Sequence, residues 1–136
     1  MPQWYINASK KYKFTEPKRL SAFKRYQTYI FKPVFAEATE KLKEEDGIEL
    51  TGQQKMVLFA KLSSQYWTQY TNVIINPGNN LSEAEIAKLR KNKTIKQRFD
   101  QFVNTELNKI YTTADYKDQL VAAVHANLQR ALSPPV

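Results

Sequence analysis

The amino-acid sequence predicts an all-α fold, and three observations carry that prediction. Apolar residues recur at intervals of three and four along several stretches, which is the spacing of one helix face. Two S/T-x-x-E/Q sequences, at residues 51–54 and 82–85, have the form of a capping box at a helix N-terminus. No stretch alternates apolar and polar residues as a half-buried strand does. With 136 residues, the chain has the length of one domain.

The chain begins with residues 1–16, which are polar, basic and aromatic, and whose lack of periodicity predicts an extended arm. Pro17 suits the first turn of a helix. Leu20, Phe23 and Ile30 then indicate an amphipathic first helix with basic residues on its other side.

A proline follows this helix directly. Pro33 lacks a backbone donor and is expected to kink or interrupt the helix. Beyond it, a helical period of apolar residues runs over 34–43, and Gly47 is placed to be the left-handed residue that ends this second segment.

The stretch at 56–67 is predicted to form the central helix of the domain. Its apolar face follows intervals of three, four and four residues: Phe59, Leu62, Tyr66 and Tyr70. Trp67 lies beside that face, and a tryptophan that buries on the order of 200 Å² fixes the packing around it. The helix is predicted to end near Tyr70, before a turn at 76–80 that contains Asn, Pro and Gly.

Two further helices are predicted in the second half of the chain. A long helix begins at Ser82 and continues to Ile110, with a mostly exposed basic stretch between Leu89 and Phe99. A last helix follows residues 112–115. Its apolar stripe is expected to pack back on the domain or to pair with a partner helix. The stripe consists of Leu120, Val121, Val124, Leu128 and Leu132.

The charge of the chain is strongly basic and unevenly distributed. The sequence has 21 Lys and Arg against 13 Asp and Glu, a formal net charge of +8. Residues 1–32 and 88–98 are dominated by cations, whereas residues 33–52 are acidic. Such segregation is typical of a surface for a polyanion, usually nucleic acid or anionic lipid, although a solvated basic face has the same composition.

The sequence offers little that an enzyme would need, and no catalytic residue, cofactor or metal site is predicted. Cysteine is absent, which excludes thiolate zinc sites and cysteine nucleophiles. His125 is the single histidine, and one histidine without cysteine does not build the usual zinc sites. There is no glycine-rich phosphate loop or nucleophile elbow. The longest apolar runs are only a few residues, so no membrane span is expected.

Three short segments carry a resemblance to a known family. Pro17-Lys-Arg-Leu-Ser-Ala-Phe23 is one, and Lys61-Leu62 followed by Trp67 is the second. The third is 81–85, Leu-Ser-Glu-Ala-Glu, with its following apolar positions. In this order they resemble the opening, the second helix and the third helix of the HMG box, a DNA-binding family. The resemblance covers residues 17–105.

The resemblance implies three helices in an L, with the arm laid along the third helix and the concave face in a widened minor groove. DNA is then bent, because an inserted apolar wedge unstacks a base step. The chain departs from the family pattern in four ways. The second proline of the opening is missing, the acidic stretch 44–49 makes the first interhelix link long, residues 71–80 are an insertion, and Lys24 stands where many members carry a wedge. A second wedge position, eleven residues before Trp67, is Met56.

These considerations predict a non-enzymatic, architectural protein that binds and bends double-stranded DNA with little sequence specificity. The predicted organisation is an arm at 1–16, an HMG-box-like domain at 17–111 and an additional C-terminal helix at 112–136. The predicted DNA contacts are Lys10, Lys11, Lys13, Lys18, Arg19, Lys24, Arg25, Met56, Lys61 and Lys91. The predicted location is the nucleus, with a mitochondrial nucleoid or viral chromatin as alternatives.

A different class of function is also compatible with the sequence. The chain is then an all-helical interaction or oligomerisation module, whose helix at 115–132 docks a protein partner or a second copy. This hypothesis predicts an exposed apolar patch on that helix. The DNA-binding hypothesis predicts instead that Lys18, Arg19, Lys24 and Arg25 share a concave face with Met56. An anionic-membrane binder is the weakest reading, because no helix clearly pairs a basic face with a broad apolar one.

Overall fold

The structure is a computed structural model that describes residues 21–132 of the chain. Within these residues all regular secondary structure is helical, in five helices, which confirms the predicted all-α class. The predicted arm, Pro17 and Leu20 lie outside the described residues. The helices are α1 (Ala22–Arg25, Tyr26–Phe31 and Lys32–Asp46 in continuous succession), α2 (Gly52–Ile75), α3 (Glu83–Arg90), α4 (Lys93–Thr112) and α5 (Tyr116–Leu132).

The first helix continues through its proline. Its middle segment, Tyr26–Phe31, is π-helical, and the N–H of Lys32 donates to the carbonyl of Gln27, five residues earlier. In a regular α-helix the ring of Pro33 would clash with the carbonyl four residues before it. The extra residue of the π turn displaces the preceding carbonyls from their α-helical positions. Of the two expected effects of Pro33, an interruption is therefore wrong, because α1 continues to Asp46; the helix is instead distorted to π-helical geometry directly before the proline.

The ends of α1 and the start of α2 follow the local sequence. Gly47 adopts a left-handed conformation with φ of 69°, and its N–H donates to the carbonyl of Lys43 at 3.1 Å. The predicted role of Gly47 is thus confirmed. Thr51 and Gln54 form a reciprocal capping box, in which each side chain accepts the backbone N–H of the other residue, at 3.1 and 2.9 Å. This confirms the predicted start of the central helix.

The central helix α2 is longer than predicted, because it ends at Ile75 rather than near Tyr70. Thr71 and Ile75 are buried, so they extend the apolar face by another turn. The chain then turns at Asn76, whose buried side chain accepts the backbone N–H groups of residues 80 and 81 at 3.0 and 3.3 Å. Half of the apparent insertion at 71–80 is therefore helix.

The long helix predicted from Ser82 to Ile110 is wrong, because the chain forms two helices there. The predicted capping box of Ser82 and Glu85 is present and starts α3. At Asn92 the side-chain Oδ1 accepts the backbone N–H of Thr94 at 2.9 Å and that of Ile95 at 3.2 Å. This N-cap begins α4 and ends the preceding helix, because the asparagine side chain replaces the continuing helical hydrogen bonds.

The core is centred on Trp67, which is buried. Its ring centroid lies 5.7 Å from that of Phe23, 5.4 Å from that of Tyr26 and 5.7 Å from that of Phe99. These contacts join α1, α2 and α4, and such aromatic pairs add stabilisation beyond their buried area. The tryptophan therefore has the organising position that its sequence context indicates.

The most extensive helix packing joins α5 to the Lys32–Asp46 segment of α1. Val121, Val124 and Leu128 are buried on the α5 side, and Ala38 and Leu42 are buried on α1. The apolar stripe of the last helix thus packs back on the domain, which is one of its two predicted fates. Among the described residues this stripe offers no exposed apolar patch.

Candidate nucleic-acid interface

The predicted DNA contacts divide into two groups of five. The first group lies outside the described residues and comprises Lys10, Lys11, Lys13, Lys18 and Arg19. The second group is placed by the structure and comprises Lys24, Arg25, Met56, Lys61 and Lys91.

Lys24 and Arg25 are neighbours on the first turn of α1, yet their surroundings differ. Lys24 is exposed, and among the described residues its Nζ contacts Gln27 Oε1, at 3.5 Å, and no carboxylate. The Arg25 side chain is 15% exposed, and Nη2 donates to Asn104 Oδ1 at 2.6 Å. Its Nη1 also lies 3.5 Å from Asp100 Oδ1. Arg25 therefore ties α1 to α4, whereas Lys24 forms no ion pair within residues 21–132.

Met56 lies near the start of α2 and is 68% exposed, and the adjacent Val57 is 57% exposed. Spacings of three and seven residues place Met56 on the same helix face as Phe59 and the buried Ser63. Met56 is thus an exposed extension of the core-facing side of α2 rather than a core methionine. Lys61 is exposed on the same helix, on the side away from the core.

Lys91, at the C-terminal end of α3, belongs to a larger group of cations. We call this group the α3–α4 basic surface. All of its members are exposed, and none forms a hydrogen bond or ion pair with another described residue. The group consists of Lys88, Lys91, Lys93, Lys96 and Arg98. No acidic residue occurs between Glu85 and Asp100.

Arg90, within the same run, has a structural role. Its Nη1 donates to Thr71 Oγ1 on α2 at 2.8 Å, and its guanidinium lies 6.0 Å from the centroid of the Phe99 ring. Burial lowers the pKa of the Arg90 guanidinium from its usual value, but an arginine remains charged at neutral pH. Arg90 fastens α3 to α2 and is not available to a ligand.

The first turn of α1 adjoins one flank of the basic surface. Lys93, Lys96 and Asp100 follow one another at intervals of three and four residues, so they share a flank of α4. Asp100 is the residue that meets Arg25, and Lys24 precedes Arg25. The structure therefore brings the first turn of α1, which carries Lys24, next to α4, although Lys24 is 69 positions or more away from Lys93 and Lys96 in the sequence.

Several acidic residues form ion pairs away from this surface. Glu37 contacts Lys117 at 2.9 Å, and Glu49 contacts Lys43 at 3.6 Å. Asp46 contacts His125 at 2.7 Å. These pairs lie on the second half of α1, on the loop that follows it and on α5. The acidic stretch at 33–52 thus lies on other elements than the α3–α4 basic surface, whereas Glu83, Glu85 and Asp100 border that surface.

Met56 and the α3–α4 basic surface are at opposite ends of α2. Arg90 binds Thr71, and Met56 precedes Thr71 by fifteen residues, a separation of about 22 Å along the helix axis. The structure does not bring Met56 together with Lys91. A ligand that contacts both must extend along the length of α2.

Of the cations at 88–98, the predicted DNA contacts include only Lys91. The structure shows four further exposed cations there: Lys88, Lys93, Lys96 and Arg98. The charge run at 88–98 was visible in the sequence, but only the helix break at Asn92 shows how its members are presented. Within the described residues, no group of three His, Cys, Asp or Glu side chains is arranged to hold a metal ion. None of the described helices is long and apolar enough to span a bilayer.

No family model, curated protein or solved structure matches this chain.

Proposed function

We propose that this protein is a non-enzymatic, architectural protein that binds double-stranded DNA through phosphate contacts and bends it with little dependence on sequence. The observation that carries the proposal is the α3–α4 basic surface, where five exposed cations within eleven residues have no partner among the described residues. Unpaired cations gathered on one surface are what a polyphosphate backbone requires, because each neutralised phosphate releases a condensed counterion.

The position of the acidic residues supports the same conclusion. Lys43, Lys109 and Lys117 are each within 3.6 Å of a carboxylate, so their charge is partly cancelled. The cations of the basic surface are not cancelled in this way. An approaching duplex meets a positive surface formed by the end of α3 and the start of α4. This asymmetry orients the protein on the DNA before close contact is made.

Bending is the finer part of the proposal, and Met56 is its wedge. A wedge must be apolar and accessible, and Met56 is 68% exposed next to another exposed apolar residue, Val57. Unstacking a base step costs a few kcal/mol, which is offset when the bent duplex touches more protein. The resemblance to the HMG box, with its L-shaped arrangement and minor-groove binding, belongs to this part of the proposal. So does a nuclear location.

The alternative function is a docking module that uses residues 115–132. It predicts an exposed apolar patch on that helix, and the described residues of the helix form none. Val121, Val124 and Leu128 are buried against α1. A partner that uses this stripe has to displace α1 first. We therefore treat partner docking by α5 as the outcome to consider when DNA binding fails.

The proposal is tested by measuring the affinity of the full chain for a linear duplex and for a four-way junction across a salt series. We expect affinity that falls steeply with salt and is higher for the junction, because the junction offers distorted DNA without the bending cost. Salt-sensitive binding without preference for the junction would contradict the bending part. Absence of binding to both at low salt would contradict the whole proposal.

A further inference from the structure

The start of α4 projects beyond the core of the domain. Among its first six residues, 93–98, only Ile95 is partly covered, and Phe99 is the first buried residue. The helix therefore presents nearly its whole circumference to solvent over this stretch. A helix segment that is exposed on nearly all sides can enter a groove of a ligand, whereas a helix with one exposed face can contact only the outer surface of a ligand.

The outward face of this segment is polar and uncharged. Thr94, Gln97 and Gln101 recur at intervals of three and four residues, so they form one line along the helix. Gln97 and Gln101 are each two residues from the buried Phe99, which places them about 200° around the axis from the core. All three side chains in the line are exposed. No hydrogen bond joins the Gln97 or Gln101 amide to another described residue.

Cations border this line on both sides. Lys93 precedes Gln97 by four residues, and Arg98 follows Thr94 by four residues. Around the helix axis, the order is therefore Lys93, then the polar line, then Arg98. A helix that contacts a single row of phosphates needs cations only on the side that faces that row. Cations on both flanks of a narrow polar line fit a groove that is walled by two phosphate backbones.

The diameter of the helix decides between the major and the minor groove of DNA. An α-helix with its side chains is about 10–12 Å across. The major groove of B-form DNA is about 12 Å wide, and the minor groove is about 6 Å wide. The segment therefore fits the major groove of an undistorted duplex. There the polar line faces the base edges, and the flanking cations face phosphates of the two strands.

We infer that the first turns of α4 form a base-reading element that enters the major groove of duplex DNA, with Gln97 and Gln101 as its reading residues. Glutamine can donate to N7 and accept from N6 of adenine in a bidentate contact, so the element favours sites with adenine in the contacted positions. The inference rests on the proposed function and deepens it: the phosphate contacts and the bending depend little on sequence, and the two glutamines add a modest preference for adenine-containing sites to that background.

The element uses a different groove from the Met56 wedge, and the two are separated by most of the length of α2. The two contacts are therefore independent, and loss of one leaves the other intact. This independence allows the reading element to be tested separately from bending.

The test is a selection from random-sequence duplexes with the full chain, followed by affinity measurements on the enriched site and on a shuffled duplex of equal composition. We expect the wild-type protein to prefer the enriched site by roughly ten-fold. The Gln97→Ala/Gln101→Ala variant should lose this preference, so that it binds the enriched site no more tightly than the shuffled duplex. Alanine favours helix, so the variant keeps the fold.

Two controls sharpen the result. Gln65→Ala/Gln69→Ala, which removes two exposed glutamines from α2, should leave the preference unchanged. Replacing adenine by 7-deazaadenine in the enriched site removes an acceptor from the major groove only, and should lower wild-type affinity. A preference that survives Gln97→Ala/Gln101→Ala or the 7-deaza substitution, or duplex binding without preference, would overturn the reading element alone. Absence of any duplex binding would overturn the proposed function with it.

Discussion

Asp46 at the end of α1 and His125 on α5 are joined by a hydrogen bond of 2.7 Å between Oδ2 and Nε2. Gln129, one turn further along α5, donates to the same carboxylate at 3.1 Å. At the other end of this helix pair, Lys117 donates to Glu37 at 2.9 Å. These polar contacts fix the register of the two helices over their buried apolar stripe. They explain how the last helix becomes part of the domain.

The first prediction concerns the charge of Asp46. Hydrogen bonds from His125 and Gln129 hold the pKa of the Asp46 carboxyl below its usual value. A lowered folded-state pKa stabilises the protein above the unfolded pKa of about 4, and this contribution is lost as the pH falls through the folded value. Asp46→Asn should therefore lower the melting temperature at pH 6, and the difference from wild type should shrink below pH 4.

The check is thermal unfolding followed by circular dichroism at several pH values. Glu44→Gln is the matched control, because Glu44 is exposed and forms no ion pair with another described residue. It should leave the melting temperature at pH 6 nearly unchanged. An Asp46→Asn effect of equal size at pH 6 and pH 3 would show that the carboxylate charge does not stabilise the α1–α5 contact.

The second prediction concerns the centre of the core. Trp67→Ala removes ring contacts to α1 and α4 at once and leaves a cavity, so it should lower the free energy of unfolding by about 3–5 kcal/mol. Urea unfolding followed by circular dichroism measures this loss. Val73→Ala, on the exposed side of the same helix, should cost far less. Equal losses in the two variants would contradict the central position of Trp67.

These contacts show which parts of the fold the sequence determines locally. The caps at Thr51 and Ser82 and the left-handed Gly47 were predictable, because each depends on residues within one turn. Pro33 was not, because the rule that proline interrupts a helix assumes α-helical geometry and α1 is π-helical just before it. The break at Asn92 was hidden by the surrounding cations, which obscure the apolar period on which helix boundaries depend.

The candidate site, like the fold, was predictable from the sequence only where it depends on local residues. A run of cations predicts a basic surface, and the structure places that surface in solvent. Which of two adjacent cations forms an ion pair depends on the tertiary structure. Arg25 meets Asp100, which lies 75 residues further along the chain, whereas Lys24 meets no carboxylate among the described residues. No local pattern distinguishes these neighbours, and the exposure of Met56 likewise depends on where the core ends.

The third prediction separates Arg25 from the binding surface. Its guanidinium bonds Asn104 and adjoins Asp100, so Arg25→Ala should lower the free energy of unfolding by about 1–3 kcal/mol. Lys24→Ala should change stability little but weaken DNA binding. Arg25→Lys should not restore stability fully, because an ammonium cannot reproduce the guanidinium fork. A loss of DNA affinity in Arg25→Ala with unchanged stability would assign Arg25 to the ligand instead.

The fourth prediction concerns Met56. Since its side chain is 68% exposed, Met56→Ala should leave the melting temperature nearly unchanged. It should reduce the DNA bend measured by energy transfer between duplex ends, while affinity falls less. Met56→Leu keeps an apolar side chain of similar volume and should retain the bend. A full bend with Met56→Ala would show that another residue acts as the wedge, or that the duplex is bent by charge alone.

The last prediction concerns the cations on the flank of α4 that carries Asp100, the partner of Arg25. If Lys93 and Lys96 each neutralise one phosphate, Lys93→Gln/Lys96→Gln should lower affinity at low salt. It should also reduce the steepness of log affinity against log salt by about 0.9 for each lost contact. The matched control, Lys32→Gln/Lys41→Gln, removes the same charge from exposed positions on α1. A generic basic protein would respond equally to both double variants, since only its net charge would matter. A surface that binds phosphates at defined positions should lose salt dependence in the first variant and keep it in the control.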